Sequence, residues 1–132
     1  MLTYADFTQQ ASWETERQRP DGLFWQYDVR DAMEESISGS RTAKNIRPTI
    51  NSYMFANAQA IANIATLAGQ AKLAAEFATK AATLRRLTQE TLWDTDAQFF
   101  KVLQEHPSSV ASVPLVPSTA REALGFIPWM FN

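Results

Sequence analysis

The sequence predicts an all-α chain with long loops and at most a short β-hairpin. Apolar residues recur every three or four positions over 48–68 and again over 71–92, the spacing that keeps one face of a helix apolar. Turn-forming residues (Pro20-Asp21-Gly22, Gly69 and the prolines between 107 and 117) stand where such runs must stop. At 132 residues, with 45% apolar and 11% aromatic side chains, the chain has the size of one domain at most and the composition of a core former.

Taken in order, residues 3–19 read as a helix. Thr3 serves as its cap with Asp6 three positions on, and Phe7, Ala11 and Trp13 supply its apolar side. Residues 23–27 are too short and mixed for a helix and are compatible with an extended strand. Residues 28–36 read as a helical turn or two, closed by Ser38-Gly39-Ser40. Pro48 fits the first turn of the next helix, where a missing N–H costs nothing. That helix carries Ile50, Met54, Ala58, Ile61, Ile64, Ala65 and Ala68, and Gly69 stops it. The helix over 71–92 carries Leu73, Ala74, Phe77, Ala81, Leu84, Leu87 and Leu92. The short link between the two makes an antiparallel αα-hairpin. Beyond it come a turn at 94–97, a strand-like stretch at 99–103, a Pro/Ser loop at 106–118 and one helical turn at 119–124. A hairpin of two helices does not close a core. With the unpunctuated apolar run 125–132, this gives the expectation of a piece of a larger domain.

Charge and composition exclude several classes. Twelve basic against fourteen acidic side chains leave a net charge of −2, with no basic footprint for nucleic acid or an anionic membrane. No window approaches the roughly 18 apolar residues of a spanning helix. The first residues show neither the basic nor the apolar part of an export signal, so both a cytoplasmic and a periplasmic setting stay open. There is no cysteine and one histidine, His106. Thiolate metal sites, disulfides, thiol nucleophiles and multi-histidine metal sites are thereby excluded. Asp94 and Asp96 lack the glycine and distal glutamate of a calcium loop and read as a turn. Trp93 reads as packing and His106 as a surface residue. No phosphate loop, nucleophile elbow or HExxH is present, and nothing calls for a cofactor.

The chemistry-bearing stretch is 21–53, DGLFWQYDVRDAMEESISGSRTAKNIRPTINSY. Trp25 and Tyr27 stand directly before Asp28, Arg30, Asp31, Glu34 and Glu35. Burying carboxylates beside rings is costly unless they are paired, whereas a carbohydrate site uses both: rings stack on sugar faces and carboxyls move protons. Close carboxylates raise one another's pKa, which prepares one as a general acid. The competing reading is a solvated acidic turn partnered by Arg30 and Arg41. At the next helix start, Arg47, Asn51, Ser52 and Tyr53 offer donors and acceptors suited to a polyol, against a reading of capping plus a buried tyrosine. Trp129 and Phe131 fit either a pocket lining or a core.

These motifs carry a resemblance. DGLFWQYDVRDAMEESISG, RPTINSYM, the Ala-rich helix ending LAG, LWD followed by FF, and REALGFIPWMFN occur in the order of the mannosylglycerate-hydrolase-like domain of bacterial glycoside hydrolases. These are relatives of the trehalase and glycoside hydrolase family 63 clan, and the similarity covers nearly the whole chain. The resemblance implies a part of an (α/α)6 toroid, about two of its six helical hairpins. It also implies an inverting glycosidase whose general acid lies in a segment reading roughly Ser-Gly-Met-Asp-x-Ser. Asp31-Ala32-Met33-Glu34-Glu35-Ser36 matches that frame and places Glu34 at the acid position. Ala32 stands for the glycine and Glu for the commoner Asp, so Asp31 remains a rival. The general base is then expected beyond Asn132, with the remainder of the catalytic domain as partner. Trp25, Tyr27, Tyr53 and Trp129 are expected to line the sugar subsite, while Asp28, Arg30, Arg47 and Asn51 orient hydroxyls. The 132-residue piece alone is expected to be inactive. Two other readings stay open: a non-catalytic helical-hairpin binding or scaffold module, and an (α/α)6 lyase or epimerase.

Overall fold

The computed structural model describes residues 14–27, 36–38, 43–104 and 115–131. Within them the order is β1 (Asn45–Ile46), α1 (Pro48–Leu67), α2 (Ala71–Leu92), β2 (Trp93–Asp94), β3 (Phe99–Phe100), β4 (Leu103–Gln104), β5 (Val116–Pro117) and a 3-10 helix (Ala123–Phe131). The frame is the antiparallel αα-hairpin with long loops that the sequence predicts, the architecture of part of a helical toroid.

Pro48 opens α1, and Arg47 before it is extended (φ −108°, ψ 142°), because a residue preceding proline is pushed out of the helical region. The helix stops at Leu67. The N–H groups of Ala68 and Gln70 then turn back to the carbonyls of Ile64 and Ala65, at 2.9 and 2.8 Å. Gly69 makes this possible at φ +70°, a conformation that side chains disfavour. Ile50, Met54, Ala58, Ile61 and Ala65 from α1 are buried, as are Phe77, Ala81, Leu84 and Leu92 from α2. The predicted stripes thus face each other, and the alanines among them let the axes approach. Leu23, Phe24, Ile46, Phe100 and Leu103 complete the core at the end holding the α1 N-terminus.

The strands here are two residues each, and they knit that same end together. β4 is central to a three-stranded antiparallel sheet, pairing Ile46 with Leu103 on one side and Leu103 with Pro117 on the other. β2 and β3 form a hairpin with Trp93 opposite Phe100. In its turn Asp94 accepts the N–H of Ala97 at 2.8 Å and pairs with Lys101 at 2.8 Å. Residues 23–27 are extended, with Gln26 bridging Asn45 and Phe24 bridging Gln18.

Two expectations are refined. Val116–Pro117, read as loop, is an edge strand, where proline is tolerated because its missing N–H faces away from the ladder. The helical turn expected at 119–124 begins later. The N–H of Ser118 still bonds the Val102 carbonyl at 2.8 Å, so the chain leaves the sheet before it can coil. The 3-10 helix contains Pro128 and packs by its rings: Phe126 on Phe99 at 5.0 Å, Trp129 on Trp93 at 6.0 Å, and Phe131 on Tyr53 at 5.9 Å. No helix among the described residues is long and apolar enough to cross a membrane.

Gly125 lets this helix sit on β3. A Cβ there would overlap the Phe99 ring and the Phe100 carbonyl, so one of the elements would have to shift. Gly125→Ala is expected to lower the stability of the domain by about 1–3 kcal/mol. Urea unfolding followed by tryptophan fluorescence reads this, and an unchanged midpoint would mean the helix lies farther from β3.

Candidate functional site

The α1 N-terminus is where the chemistry-bearing stretch meets the core. Arg47 and Asn51 are both fully buried there. Asn51 treats the 23–27 strand as a neighbouring strand would. Its Oδ1 accepts the Phe24 N–H at 2.8 Å, and its Nδ2 donates to the Phe24 carbonyl at 3.0 Å and to the Arg47 carbonyl at 2.9 Å. Its amide thus pairs with backbone on both sides and holds that strand in place. Ser52 likewise bonds the Pro48 carbonyl at 2.7 Å. The Arg47 guanidinium donates to the Ser36 hydroxyl at 3.1 Å.

The predicted site residues fall into separate places. Asp28, Arg30, Asp31 and Glu34 lie outside the described residues, which border that segment at Tyr27 and Ser36. Trp25 and Tyr27 meet edge to face at 5.3 Å. The Arg17 guanidinium and the Lys44 ammonium lie 4.6 and 4.5 Å from the centre of the Trp25 ring. Tyr53 is half-buried against Phe131. Trp129, 56% exposed, lies on a different feature: a cleft of about 260 Å³ between α1, α2 and the 3-10 helix. Phe55, Trp93 and Phe100 give it aromatic walls, and Arg85, Thr88 and Gln89 give it polar ones. The Thr88 hydroxyl is buried with no partner among the described residues.

The residue that sequence reasoning missed is Glu122. Its Oε1 accepts the Ile37 N–H at 2.6 Å, and its Oε2 accepts the Ser38 N–H at 3.1 Å and the Ser38 hydroxyl. Partial burial pushes this carboxyl up, but donation from Ser38, Ile37 and Ser36 more than offsets it, leaving Glu122 below the ordinary carboxylate range. Gln104 adds a bond to the Ser38 carbonyl at 2.9 Å. The residues directly following the acidic segment are thus held from three directions: by Arg47 at Ser36, and by Gln104 and Glu122 at Ser38. REALG stood out only as part of the resemblance; nothing local in it announces a partner 84 positions away. Gln26 and Asn45 were also missed. Their backbones exchange two 2.9 Å bonds, while both side-chain amides are buried without partners among the described residues. Among those residues no group of three His, Asp or Glu is placed to hold a metal.

The model of the mannosylglycerate hydrolase MGH1-like glycoside hydrolase domain matches residues 4–132. A solved structure named as a sialidase superposes with a TM-score of 0.81 over 96% of this chain, at 43% sequence identity. This chain spans 11% of that one. No curated protein matches.

Two expectations follow. Asn51→Ala leaves the Phe24 N–H and carbonyl buried without this partner and should cost about 2–4 kcal/mol, read by chemical denaturation. The second concerns acid. A carboxyl held below its ordinary range stabilises the fold above that range, and the gain is lost as pH falls through it and the neutral form takes over. Thermal stability should therefore drop between roughly pH 5 and 3, and less steeply in Glu122→Gln. Identical pH profiles for the two proteins would remove Glu122 from the linkage.

Proposed function

The chain belongs to the mannosylglycerate hydrolase MGH1-like glycoside hydrolase family, and from this we propose that it carries the general-acid side of an inverting glycosidase, with Glu34 as the proton donor. The family sets the class: a glycoside hydrolase domain with a carbohydrate substrate. The observation that supports the finer reading is a physical connection. One short stretch, 115–131, holds Ile37 and Ser38, directly after the acidic segment, through Glu122 and lines the aromatic cleft through Trp129.

In this reading a sugar ring lies in the cleft against Trp93 and Trp129, with Arg85 and Gln89 meeting its hydroxyls. At about 260 Å³ the cleft is smaller than the roughly 300–1,000 Å³ of drug-sized sites, a size for about one ring. Trp25 and Tyr27, with Asp28 and Arg30 after them, lead the chain toward Glu34, and Tyr53 supports Phe131 behind Trp129. Arg47 acts on the acidic segment through Ser36, and Asn51 acts through the Phe24 strand.

The reaction balances with two carboxyls. The Glu34 carboxylic acid gives its proton to the glycosidic oxygen as the bond from that oxygen to the anomeric carbon breaks. A water attacks the opposite face and passes its proton to a second carboxylate, roughly 6.5–9.5 Å from the first. That second carboxylate is supplied by another part of the catalytic domain. The product is a hemiacetal of inverted configuration, and Glu34 regains its proton from solvent.

In the full chain, Glu34→Gln is expected to lower kcat on disaccharides by about 10²–10⁴-fold. The loss should be smaller on aryl glycosides, whose leaving groups need little proton assistance. Proton NMR of the first-formed hemiacetal reads the stereochemistry. Wild-type rates in Glu34→Gln together with inactive Asp31→Asn would move the role to Asp31, and a retained anomer would overturn inversion.

A further inference from the structure

We infer that Glu122 is a positioning residue of this site: its carboxylate clamps the backbone at Ile37 and Ser38, directly after the acidic segment in the chain, and ties it to the element that carries Trp129. The inference rests on the glycosidase reading for its consequence and on geometry alone for the clamp.

The contact has the form of an anchor. One carboxylate takes two successive backbone N–H groups, one on each oxygen, and adds the Ser38 hydroxyl. Two bonds from adjacent peptides fix both the position and the rotation of a backbone segment, which a single side-chain bond does not. Bonds to an ionised acceptor are also the strong ones, and Glu122 is held in its ionised form at neutral pH. The surroundings match its charge. Ser36 links the carboxylate to the buried Arg47 guanidinium, which donates to the Ser36 hydroxyl at 3.1 Å. A negative group on one side and a positive one on the other thus bracket residues 36–38.

The other end of the clamp is equally fixed. Glu122 directly precedes the 3-10 helix, and its carbonyl accepts the Gly125 N–H at 2.9 Å. That helix is seated on Phe99 and Phe100 with no room for a methyl group at Gly125. Four residues past Gly125 stands Trp129, on the cleft wall. Ser38, Glu122 and Gly125 are joined in turn by hydrogen bonds, and Trp129 stands on the same 3-10 helix as Gly125. A general acid gives its rate only when held near the atom it protonates, and a misplacement of about 1 Å can cost some hundredfold. Glu122 itself needs no contact with substrate for that effect.

The test compares wild type, Glu122→Gln, Ser38→Ala and Glu34→Gln in the full chain, using aryl glycosides and disaccharides as probes and hydrogen exchange over 36–38 as a second readout. Gln keeps the length of Glu but turns an amide N–H₂ toward one of the two backbone donors. Exchange at Ile37 and Ser38 is expected to speed up at least about tenfold in Glu122→Gln. Its kcat should fall by about ten- to a hundredfold with KM nearly unchanged, the pattern of a group felt only in the transition state. Ser38→Ala, which keeps both backbone donors, should move the same way but less, and it stands in if Glu122→Gln fails to fold by circular dichroism. Unchanged exchange overturns the clamp. Faster exchange with unchanged kcat overturns the positioning role. A wild-type chain that cleaves none of the probes overturns the glycosidase reading and the positioning role with it, while exchange still decides whether the clamp exists.

Discussion

The structure depends on burying the N-terminus of α1 beneath the strand that leads into the acidic segment. Burial of a helix start is costly, because its first N–H groups have no partners within the helix. Here Pro48 removes one such donor. Asn51 bonds the Arg47 carbonyl behind it and reaches out to pair both backbone groups of Phe24. Phe24 and Leu23 can then pack into the αα-hairpin core without leaving their polar backbone unmatched.

A second constraint is electrostatic. Arg47 is buried, and a buried guanidinium is tolerated only with hydrogen-bond partners and a nearby negative charge. Ser36 supplies the first, and Glu122 supplies the second through the serines. The result is a short stretch of chain, 36–38, held by groups from three other parts of the sequence: Arg47, Gln104 and Glu122.

What the sequence made legible follows from range. Both long helices could be read because their burial repeats locally: Ile50, Met54, Ala58 and Ile61 announce a face within four residues of one another, and α2 begins and ends at Ala71 and Leu92 as the spacing predicts. Gly69 could be read because one residue type marks that stop. Strands of two residues have no period to detect: the strand-like stretch 99–103 stops at the first residue of β4, and β5 falls in what reads as a Pro/Ser loop. Asn51 looked like a polar group at a helix mouth, a fair reading of composition. Its role as strand partner to Phe24 depends on a contact 27 positions away. Trp129 was legible as pocket or core and turns out to be half of each, packed on Trp93 and open to the cleft. Glu122 was the least legible, since an exposed-looking carboxylate in a loop differs in no local way from a solvated one.

Range also bears on the choice between a binding module and an enzyme. A scaffold needs its helix faces and tolerates play between the loops at their ends. In this chain the ends are the tightest part: a glycine contact that excludes a methyl group, a carboxylate on two successive peptides, and an asparagine that matches a strand. Rigid fixation costs conformational entropy without adding much apolar burial, so it is retained where position matters more than stability. The groups fixed in this way lie at residues 36–38 and beside the aromatic cleft, and fixed position is what the proposed proton transfer would require and simple adhesion would not.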